Sequence, residues 1–312
     1  MKKTDKIFVA GHNGLVGSSL IRRLQNAGFF NIITRSHEEL DLRDQKKTYD
    51  FFREETPAYV FLAAAKVGGI AYNQQFPADF MYDNLTIQTN VIEGAYRNKA
   101  KKLLFLGSAC IYPKITPQPI KEEYLLTAAL EPTNEAYALA KIAGLRMCQH
   151  YKRQHGFNAI SVMPANLYGV NDNFFPDRCH VIPGLINKFS TAKDNGDPTI
   201  TAWGDGSPTR EFLYVDDLAD ACIFLMQEYN DIEHINIGTE TEITIKDLSE
   251  IIKKEVGFEG EIFWDHSKPN GTPRRKLDNS RLEKLGWKPK VPFDVGLKRT
   301  ITWFNQNRDK FR

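Results

Sequence analysis

Three glycines, spaced three residues apart, follow the first apolar run of the chain and constrain its fold more than any other feature. The apolar run covers residues 6–10, the glycines are Gly11, Gly14 and Gly17, and an amphipathic segment over residues 18–27 comes next. Glycines at this spacing let the backbone turn sharply and approach a pyrophosphate, whose charge then lies at a helix N-terminus. The segment therefore predicts a strand, a phosphate-binding turn and a helix, although a glycine-rich turn can also serve packing alone.

The same alternation of strand and helix continues through the first half of the chain. It implies right-handed crossovers and a doubly wound parallel sheet, which places the chain in the α/β class. The predicted strands lie at residues 31–34, 59–65, 102–107 and 159–163, and the predicted helices at residues 44–54, 77–98 and 134–155.

The chain length predicts two domains, since 312 residues correspond to about two units of ~150 residues. The alternation breaks after the strand that ends near residue 165. We therefore predict a Rossmann-type dinucleotide-binding domain over residues 1–165 and a smaller mixed α/β domain, mainly for substrate, over residues 166–312. Residues 213–240 are expected to return to the first domain.

Composition and charge exclude several classes of protein. The 41 basic and 39 acidic residues give a formal net charge of +2 without a long tract of like charge, so nucleic acid is not expected as a partner. The longest apolar stretches have strand length, well below the ~18 residues of a membrane span. No apolar signal core follows the N-terminus, and four cysteines are too few for a disulfide framework. We expect a cytoplasmic protein without a membrane or metal partner.

The residues after the second predicted strand bear on the choice of cofactor. A carboxylate at this position binds the adenosine ribose of NAD, whereas a cation accepts the 2'-phosphate of NADP. The chain has Arg35, Ser36 and His37 here, which favours NADP. An ordinary solvated arginine remains the alternative for Arg35.

A tyrosine, a lysine and a serine suggest a reducing site. Tyr137 and Lys141 are four residues apart in a predicted helix, so their side chains project from one face and the ammonium can act on the phenol. Ser108 follows the strand predicted at residues 102–107, and ligands of open parallel sheets bind at such carboxyl ends. The spacing of Tyr137 and Lys141 alone is common by chance, and Ser108 supplies the missing context.

Together with the glycine turn, these three residues resemble the short-chain dehydrogenase/reductase family. Longer blocks resemble its extended branch, and within that branch the GDP-L-fucose synthases, over almost the entire chain. The blocks cover residues 11–17, 63–70, 104–114, 131–137, 166–169, 180–183, 203–204, 210–212 and 271–274.

The resemblance implies an NADPH-dependent enzyme that epimerises C3 and C5 of GDP-4-keto-6-deoxymannose and reduces C4, and that forms a homodimer through its long helices. It assigns the reduction to Ser108, Tyr137 and Lys141. It assigns the epimerisation to Cys110 and His180. The implied cofactor-binding residues, for NADPH or NADP⁺, are Gly11, Asn13, Gly14, Leu15, Val16, Gly17, Arg35, His37, Asp41, Ala64, Leu106, Tyr137, Lys141, Pro164, Asn166, Leu167 and His180. The implied substrate-binding residues are Ser108, Asn166, Lys188, Trp203, Arg210 and Asn270.

Both reactions can use one site because both place negative charge on the same oxygen. The ketone at C4 acidifies the protons on C3 and C5, and hydride delivery to C4 charges the C4 oxygen as well. Donors from Ser108 and Tyr137 would stabilise the enolate and the alkoxide alike. Inversion further needs a base and an acid, for which a cysteine and a histidine, with ordinary pKa values of about 8.5 and 6.5, are suited near neutral pH.

The chain departs from the family pattern at four of these positions. Asn13 and His37 stand where the family commonly has arginines near the cofactor phosphate, so the choice of NADP depends more on Arg35. Lys188 stands in place of an arginine near the substrate pyrophosphate and keeps the charge without the bidentate fork. Asn270 replaces an aspartate, which puts a ribose contact there in doubt.

Several other functions compete with this interpretation. A 4,6-dehydratase would need an acidic pair after the active-site serine, where this chain has Ala109 and Cys110. A simple 4-epimerase would leave Cys110 and His180 without a role. The same chemistry on another GDP-4-keto sugar, such as a colitose precursor or a heptose, stays open. A regulator that binds NADP without turnover is expected to lose Tyr137 or Lys141, and both are present.

Overall fold

A six-stranded parallel sheet forms the larger part of the molecule in the computed structural model, which describes residues 1–239, 241–268 and 270–311. The elements of the first half are β1 (Ile7–Ala10), α1 (Leu15–Asn26), β2 (Ile32–Ile33), α2 (Gln45–Glu55), β3 (Tyr59–Leu62), α3 (Ile70–Gln75), α4 (Pro77–Arg97), β4 (Lys102–Leu106), α5 (Glu135–His155) and β5 (Ala159–Pro164). One-turn 3₁₀ helices lie at Ala109–Ile111, Glu122–Tyr124 and Pro132–Asn134.

The second half consists of shorter strands and five further helices within the part that the structure describes. Its elements are β6 (Asn166–Tyr168), α6 (Val181–Asn195), β7 (Thr199–Trp203), β8 (Thr209–Tyr214), α7 (Val215–Glu228), β9 (Ile235–Ile237), β10 (Glu242–Thr244), α8 (Ile245–Val256), β11 (Glu261–Asp265), β12 (Arg274–Arg275), α9 (Ser280–Lys284) and α10 (Phe293–Asn307), followed by a 3₁₀ turn at Arg308–Phe311.

The large sheet has the strand order β2-β1-β3-β4-β5-β9, and every pairing in it is parallel. Its central strands are buried on both faces, which explains why they read as unbroken apolar runs. Helices α1 and α7 pack together, while α2 and α5 pack on α4. The predicted doubly wound α/β fold is confirmed.

The second half has its own hydrophobic cluster, which includes Phe174, Phe189, Phe212 and Phe304. Strand β8 pairs with β6, β10 and β12, and β7 pairs with β11. The chain crosses between the two clusters more than once, because α7 packs in the cluster of the large sheet and β9 pairs with β5 in that sheet. The domain boundaries given above stay predictions.

The carboxyl ends of β1, β3, β4 and β5 open onto a single edge of the large sheet, because these neighbouring strands run in the same direction. Ligands of open α/β sheets bind at such an edge. Within the described residues, no helix has both the length and the apolar character to cross a membrane, and no cluster of three metal-ligating side chains is present.

Candidate active site

The glycine turn is pressed against the end of β3. Gly11 has a φ of +83°, and a Cβ there would lie 2.7 Å from the backbone of Ala64. A Cβ on Gly17 would lie 2.1 Å from the carbonyl oxygen of Gly11. Helix α1 starts after Gly14 without a side-chain cap, so its first N–H groups remain for a ligand. This cradle fits the phosphates of a dinucleotide at a helix N-terminus.

The remaining cofactor candidates follow the same edge of the sheet. The carbonyl oxygen of Asn13 accepts a hydrogen bond from Asn171 Nδ2 at 2.8 Å, which joins the glycine turn to the segment after β6. Leu15 and Val16 begin α1, and Ala64 follows β3. Leu106 and Pro164 are the last residues of β4 and β5. Asn166 and Leu167 belong to β6.

Arg35 is held against α2 by Glu55 and Phe51. Its Nη2 donates to Glu55 Oε1 at 2.5 Å, its Nη1 donates to the Thr34 carbonyl oxygen at 2.8 Å, and its guanidinium lies 5.4 Å from the Phe51 ring centre. Both partners of the ion pair are about one-third exposed. A phosphate contact by Arg35 would therefore compete with this ion pair.

The other two candidates after β2 lie close together. His37 is exposed, with its Nε2 atom 3.9 Å from Asp41 Oδ2. Arg43 donates to both carboxylate oxygens of Asp41, through Nε to Oδ1 and through Nη2 to Oδ2, and lowers the pKa of that carboxyl to about 2. Arg43 also bonds Asp83 at 3.0 Å, so Asp41 belongs to an ion-pair chain that ties this loop to α4.

Ser108 lies between the two groups that the sequence assigns to different reactions. It ends the extended backbone after β4 and caps the 3₁₀ turn that contains Cys110, since its Oγ accepts from Cys110 N at 3.3 Å. The Ser108 Oγ atom is 2.7 Å from Cys110 Sγ. It also acts to lower the pKa of the Tyr137 phenol, which places the phenol on the same side of the site. The Ser108 hydroxyl thus contacts the thiol and lies near the phenol.

Helix α5 presents Tyr137 and Lys141 to this hydroxyl from one face, as their spacing predicts. Lys141 Nζ donates to the Leu106 carbonyl oxygen at 2.8 Å and lies 5.7 Å from the Tyr137 ring centre. The Phe80 ring packs edge-on against Tyr137 at 6.2 Å and limits its orientation. The predicted group of Ser108, Tyr137 and Lys141 is therefore brought together.

Burial sets the charge of these groups. It lowers the pKa of Lys141 to about 8, and the nearby Cys110 opposes this shift. It raises the pKa of the Tyr137 phenol well above its usual value, in the same direction as the Cys110 charge and against the Ser108 hydrogen bond. Near neutral pH the phenol is protonated and the lysine is largely cationic, so Tyr137 is able to donate a proton.

His180 approaches from a different element. It precedes α6 and is exposed, while desolvation of the ring by the neighbouring protein lowers its pKa. The neighbouring carbonyl oxygen of Arg178 accepts from Gly69 N at 3.1 Å, just before α3. Since α3 packs on the turn before Tyr137, the His180 segment is docked beside the same cleft.

The substrate candidates lie in the second half of the chain. Lys188 Nζ donates to the Thr201 carbonyl oxygen at 2.9 Å, and burial lowers the pKa of the lysine. Trp203 is 44% exposed at the end of β7, with Lys268 Nζ 5.7 Å from its ring centre. An exposed indole of this kind offers a face for stacking on a nucleobase.

Asn270 and Arg210 have partners that the sequence did not indicate. The Oδ1 atom of Asn270 accepts from Asp205 N at 3.0 Å, so this side chain holds the turn that follows Trp203. Arg210 donates to the Thr209 carbonyl oxygen at 2.8 Å, and burial lowers its pKa to about 10. Asn270 therefore has a structural contact in addition to its predicted contact with substrate.

Comparison with known proteins agrees with this geometry. The model of the NAD dependent epimerase/dehydratase family matches residues 7–238, which is most of the chain. The chain belongs to this family. It is 58% identical over 305 residues to GDP-L-fucose synthase 1 of Arabidopsis thaliana, with 98% of this chain and 94% of the relative covered. The resemblance inferred from the sequence is confirmed.

Solved structures of the family have the same architecture. A GDP-6-OMe-4-keto-L-xylo-heptose reductase from C. jejuni superposes with a TM-score of 0.94 at 37% identity, with 98% of this chain and 99% of that chain covered. A GDP-L-fucose synthetase from Naegleria fowleri bound to NADP gives a TM-score of 0.92 at 29% identity, with 100% and 97% covered.

Two charged residues of this epimerase/dehydratase family member escaped the sequence analysis. Burial lowers the pKa of Arg275, from β12, while Cys110 and Glu131 act in the opposite direction. Glu131 is almost fully buried and lies 3.1 Å from Lys114 Nζ. Their positions in the sequence could have indicated both residues. Arg275 directly follows the block at residues 271–274, and Glu131 begins the block that contains Tyr137.

Proposed function

We propose that this protein converts GDP-4-keto-6-deoxy-D-mannose to GDP-L-fucose with NADPH, by inversion at C3 and C5 and reduction at C4. The observation that carries the proposal is the Ser108 hydroxyl, which lies 2.7 Å from the Cys110 thiol and near the Tyr137 phenol. Donors that converge on one oxygen suit both the enolate of epimerisation and the alkoxide of reduction. The 58% identity to a GDP-L-fucose synthase supports the choice of sugar.

Bound NADPH supplies the hydride that reaches C4. Tyr137 then gives its phenolic proton to the C4 oxygen, with Ser108 as the second donor to that oxygen. Lys141 lies beside the phenol and offsets the negative charge that Tyr137 gains when it loses its proton. The glycine turn would hold the phosphates of the cofactor, and Lys141 and Pro164, at the same edge of the sheet, would hold its nicotinamide end.

Cys110 is placed to remove the protons from C3 and C5, and His180 to return protons on the opposite face of the ring. The two residues come from different segments, the 3₁₀ turn after β4 and the residue that precedes α6, which allows them to flank a sugar bound between them. His180 is exposed to the cleft, so it can take up a proton from water between turnovers. This exchange with water makes the step visible in D₂O.

The decisive experiment is product analysis. Incubation of the protein with freshly made GDP-4-keto-6-deoxymannose and NADPH is expected to yield GDP-L-fucose, identified by NMR of the sugar. A 6-deoxy sugar without inversion at C3 and C5, or no consumption of NADPH, would overturn the proposal.

A related sugar is the second candidate, because the 0.94 TM-score relates this fold to a reductase of a GDP-4-keto-heptose. The same assay with a GDP-4-keto-heptose and with the 3-deoxygenated sugar of colitose synthesis separates these substrates. We expect the 6-deoxymannose derivative to be turned over with the highest kcat/KM.

The choice between NADPH and NADH can be tested by substitution of Arg35. A phosphate contact of an arginine contributes about 1.5–3 kcal/mol, more than the ~0–1 kcal/mol of a partly exposed ion pair such as Arg35 with Glu55. We therefore expect Arg35 to exchange Glu55 for the 2'-phosphate. Arg35→Ala should weaken NADPH binding about tenfold or more, measured by fluorescence titration, with little effect on NADH.

Glu55→Gln is the matched control for this prediction. It frees the guanidinium without removing it, so NADPH should bind as tightly as in the wild type or more tightly. If Arg35→Ala weakens NADPH and NADH equally, Arg35 serves the fold and not the choice of cofactor.

We also propose that the protein forms a homodimer and is cytoplasmic. The long helices α4 and α5 pack together and leave apolar side chains exposed, among them Tyr82 (66% exposed) and Leu139 (40%). Such side chains suit a contact between two copies of the helix pair. Light scattering at micromolar concentration is expected to give twice the 35.6 kDa mass of one chain, and a monomeric mass would refute the dimer.

A further inference from the structure

We propose that Gly69, between β3 and α3, is a positioning residue for His180. The inference rests on the proposed function, in which His180 returns protons to C3 and C5 of the sugar. Gly69 has no side chain that could take part in this chemistry, but it contacts the two residues that directly precede His180. It therefore sets the place from which the imidazole reaches the sugar.

Two backbone contacts join Gly69 to the segment before His180. The Gly69 N–H donates to the Arg178 carbonyl oxygen at 3.1 Å. A Cβ on Gly69 would lie 2.5 Å from the Cys179 carbonyl oxygen, far inside van der Waals contact. Because the contacts fall on consecutive residues, they fix both the position and the direction of the chain where it enters His180.

Glycine is needed at residue 69 for this close approach and not for its backbone conformation. Gly69 has φ −68° and ψ −179°, an extended conformation that residues with a side chain also adopt. The nearest neighbours of an added Cβ, among the described residues, are the two atoms of the Cys179 carbonyl group. Ordinary contact begins at about 3.4 Å, so an alanine would require this carbonyl group to retreat by about 1 Å.

Helix α3 holds Gly69 from the other side. The buried Asn73 side chain donates from Nδ2 to the Gly68 carbonyl oxygen at 2.8 Å and to the Gly69 carbonyl oxygen at 3.0 Å. The Asn73 N–H donates to the Gly69 carbonyl oxygen at 3.1 Å. Residues 175–178, in contrast, are exposed. An added Cβ is therefore expected to displace the segment that leads to His180 and not the glycine.

The same segment is packed against the reductase residue. A Cβ on Gly68 would lie 3.3 Å from Phe80 Cζ, and the Phe80 ring packs edge-on against Tyr137 at 6.2 Å. Residues 68–69 thus contact both the ring that orients Tyr137 and the chain that leads to His180. They relate the proton donor of the reduction to the proposed acid of the epimerisation.

The substitution Gly69→Ala tests this placement through the products. A misplacement of about 1 Å can lower a rate about 100-fold. At saturating substrate and NADPH, we expect Gly69→Ala to form the inverted sugar about 100-fold more slowly than the wild type. Slow C4 reduction to the uninverted 6-deoxyhexose should continue, with unchanged affinity for NADPH.

The same reaction in D₂O has a signature of its own. Cys110 still removes the protons from C3 and C5, and its thiol takes up a deuteron from the solvent and returns it on the same face. The uninverted product of Gly69→Ala should therefore carry deuterium at both carbons. Loss of Cys110 would give the uninverted product without this label.

A second measurement follows the segment in the protein without substrate. Hydrogen–deuterium exchange, resolved by peptide mass spectrometry, should be faster over residues 176–182 in Gly69→Ala than in the wild type. Gly94→Ala is the matched control, because its Cβ would lie 2.6 Å from the Phe52 ring in the core of the large sheet. It should lower thermal stability and leave both the product ratio and this exchange unchanged.

Two results would overturn the inference. One is a wild-type product ratio in folded Gly69→Ala. The other is an equal loss of reduction and inversion with a higher KM, which would indicate that the segment contacts substrate. If Gly69→Ala does not fold, Asn73→Ala releases Gly69 without adding an atom, and it should change the product ratio in the same direction.

Failure of the proposed function has a different outcome. If His180→Asn still yields GDP-L-fucose, His180 is not the acid, and the inference is wrong together with that assignment. If His180→Asn stops inversion while Gly69→Ala leaves it intact, only the inference is wrong.

Discussion

Replacement of Tyr137 by phenylalanine is expected to lower the rate of C4 reduction by about 10²–10⁴-fold, the usual cost of losing a general acid. The phenol is the proton donor of the site, and burial raises its pKa so that it is protonated at neutral pH. The substitution removes one oxygen and keeps the ring that packs on Phe80. The fold and NADPH binding should therefore persist, with the loss confined to NADPH oxidation measured at saturating substrate.

Tyr72→Phe is the matched control. Tyr72 packs edge-on against the same Phe80 ring, at 5.4 Å, but it lies in α3 and has no assigned chemistry. Its variant should reduce the substrate at the wild-type rate. Wild-type turnover by Tyr137→Phe would show that the reductase site has been assigned to the wrong residue.

Replacement of Cys110 by serine is expected to abolish the incorporation of deuterium at C3 and C5 while C4 reduction continues slowly. Serine keeps the approximate size and the hydrogen bond to Ser108, but a hydroxyl ionises at far higher pH than a thiol. Reduction does not require the inversions chemically, so slow NADPH oxidation to an uninverted 6-deoxyhexose should survive. NMR in D₂O measures both results in one sample.

Cys179→Ser provides the control for a thiol near the site. Cys179 directly precedes His180, and burial raises its pKa to about 11, so it is protonated at neutral pH. Its variant should label both carbons like the wild type. Labelling at both carbons by Cys110→Ser would instead end the assignment of Cys110 as the base.

The packing role of Cys110 is tested by the same variant. The residue is 9% exposed and belongs to the large hydrophobic cluster. If the thiol mainly fills this space, Cys110→Ser should lose thermal stability and NADPH binding together. Retained folding with lost exchange separates the chemical role from the packing role.

The sequence by itself determined the features that depend on local periodicity. Strand and helix alternation follows from apolar runs and amphipathic segments, so the parallel sheet could be predicted. The glycine turn could be predicted from the spacing of its glycines. The structure gives the physical reason at Gly11, where a left-handed φ and contact with Ala64 exclude a side chain. Tyr137 and Lys141 share a helix face because four residues make about one turn.

Only the tertiary structure decided which distant side chains meet. Arg35 follows β2 as expected, but its guanidinium pairs with Glu55 at the end of α2, and nothing in the sequence relates these two residues. Asn270 holds the turn after Trp203 through a hydrogen bond between residues that are likewise far apart in the sequence. Strand β12 docks on the segment after β4 because Lys276 N donates to the Gln118 side chain and Ile120 N donates to the Lys276 carbonyl oxygen. Local patterns specify the direction of a side chain on its own element, whereas its partner depends on how the elements pack against one another.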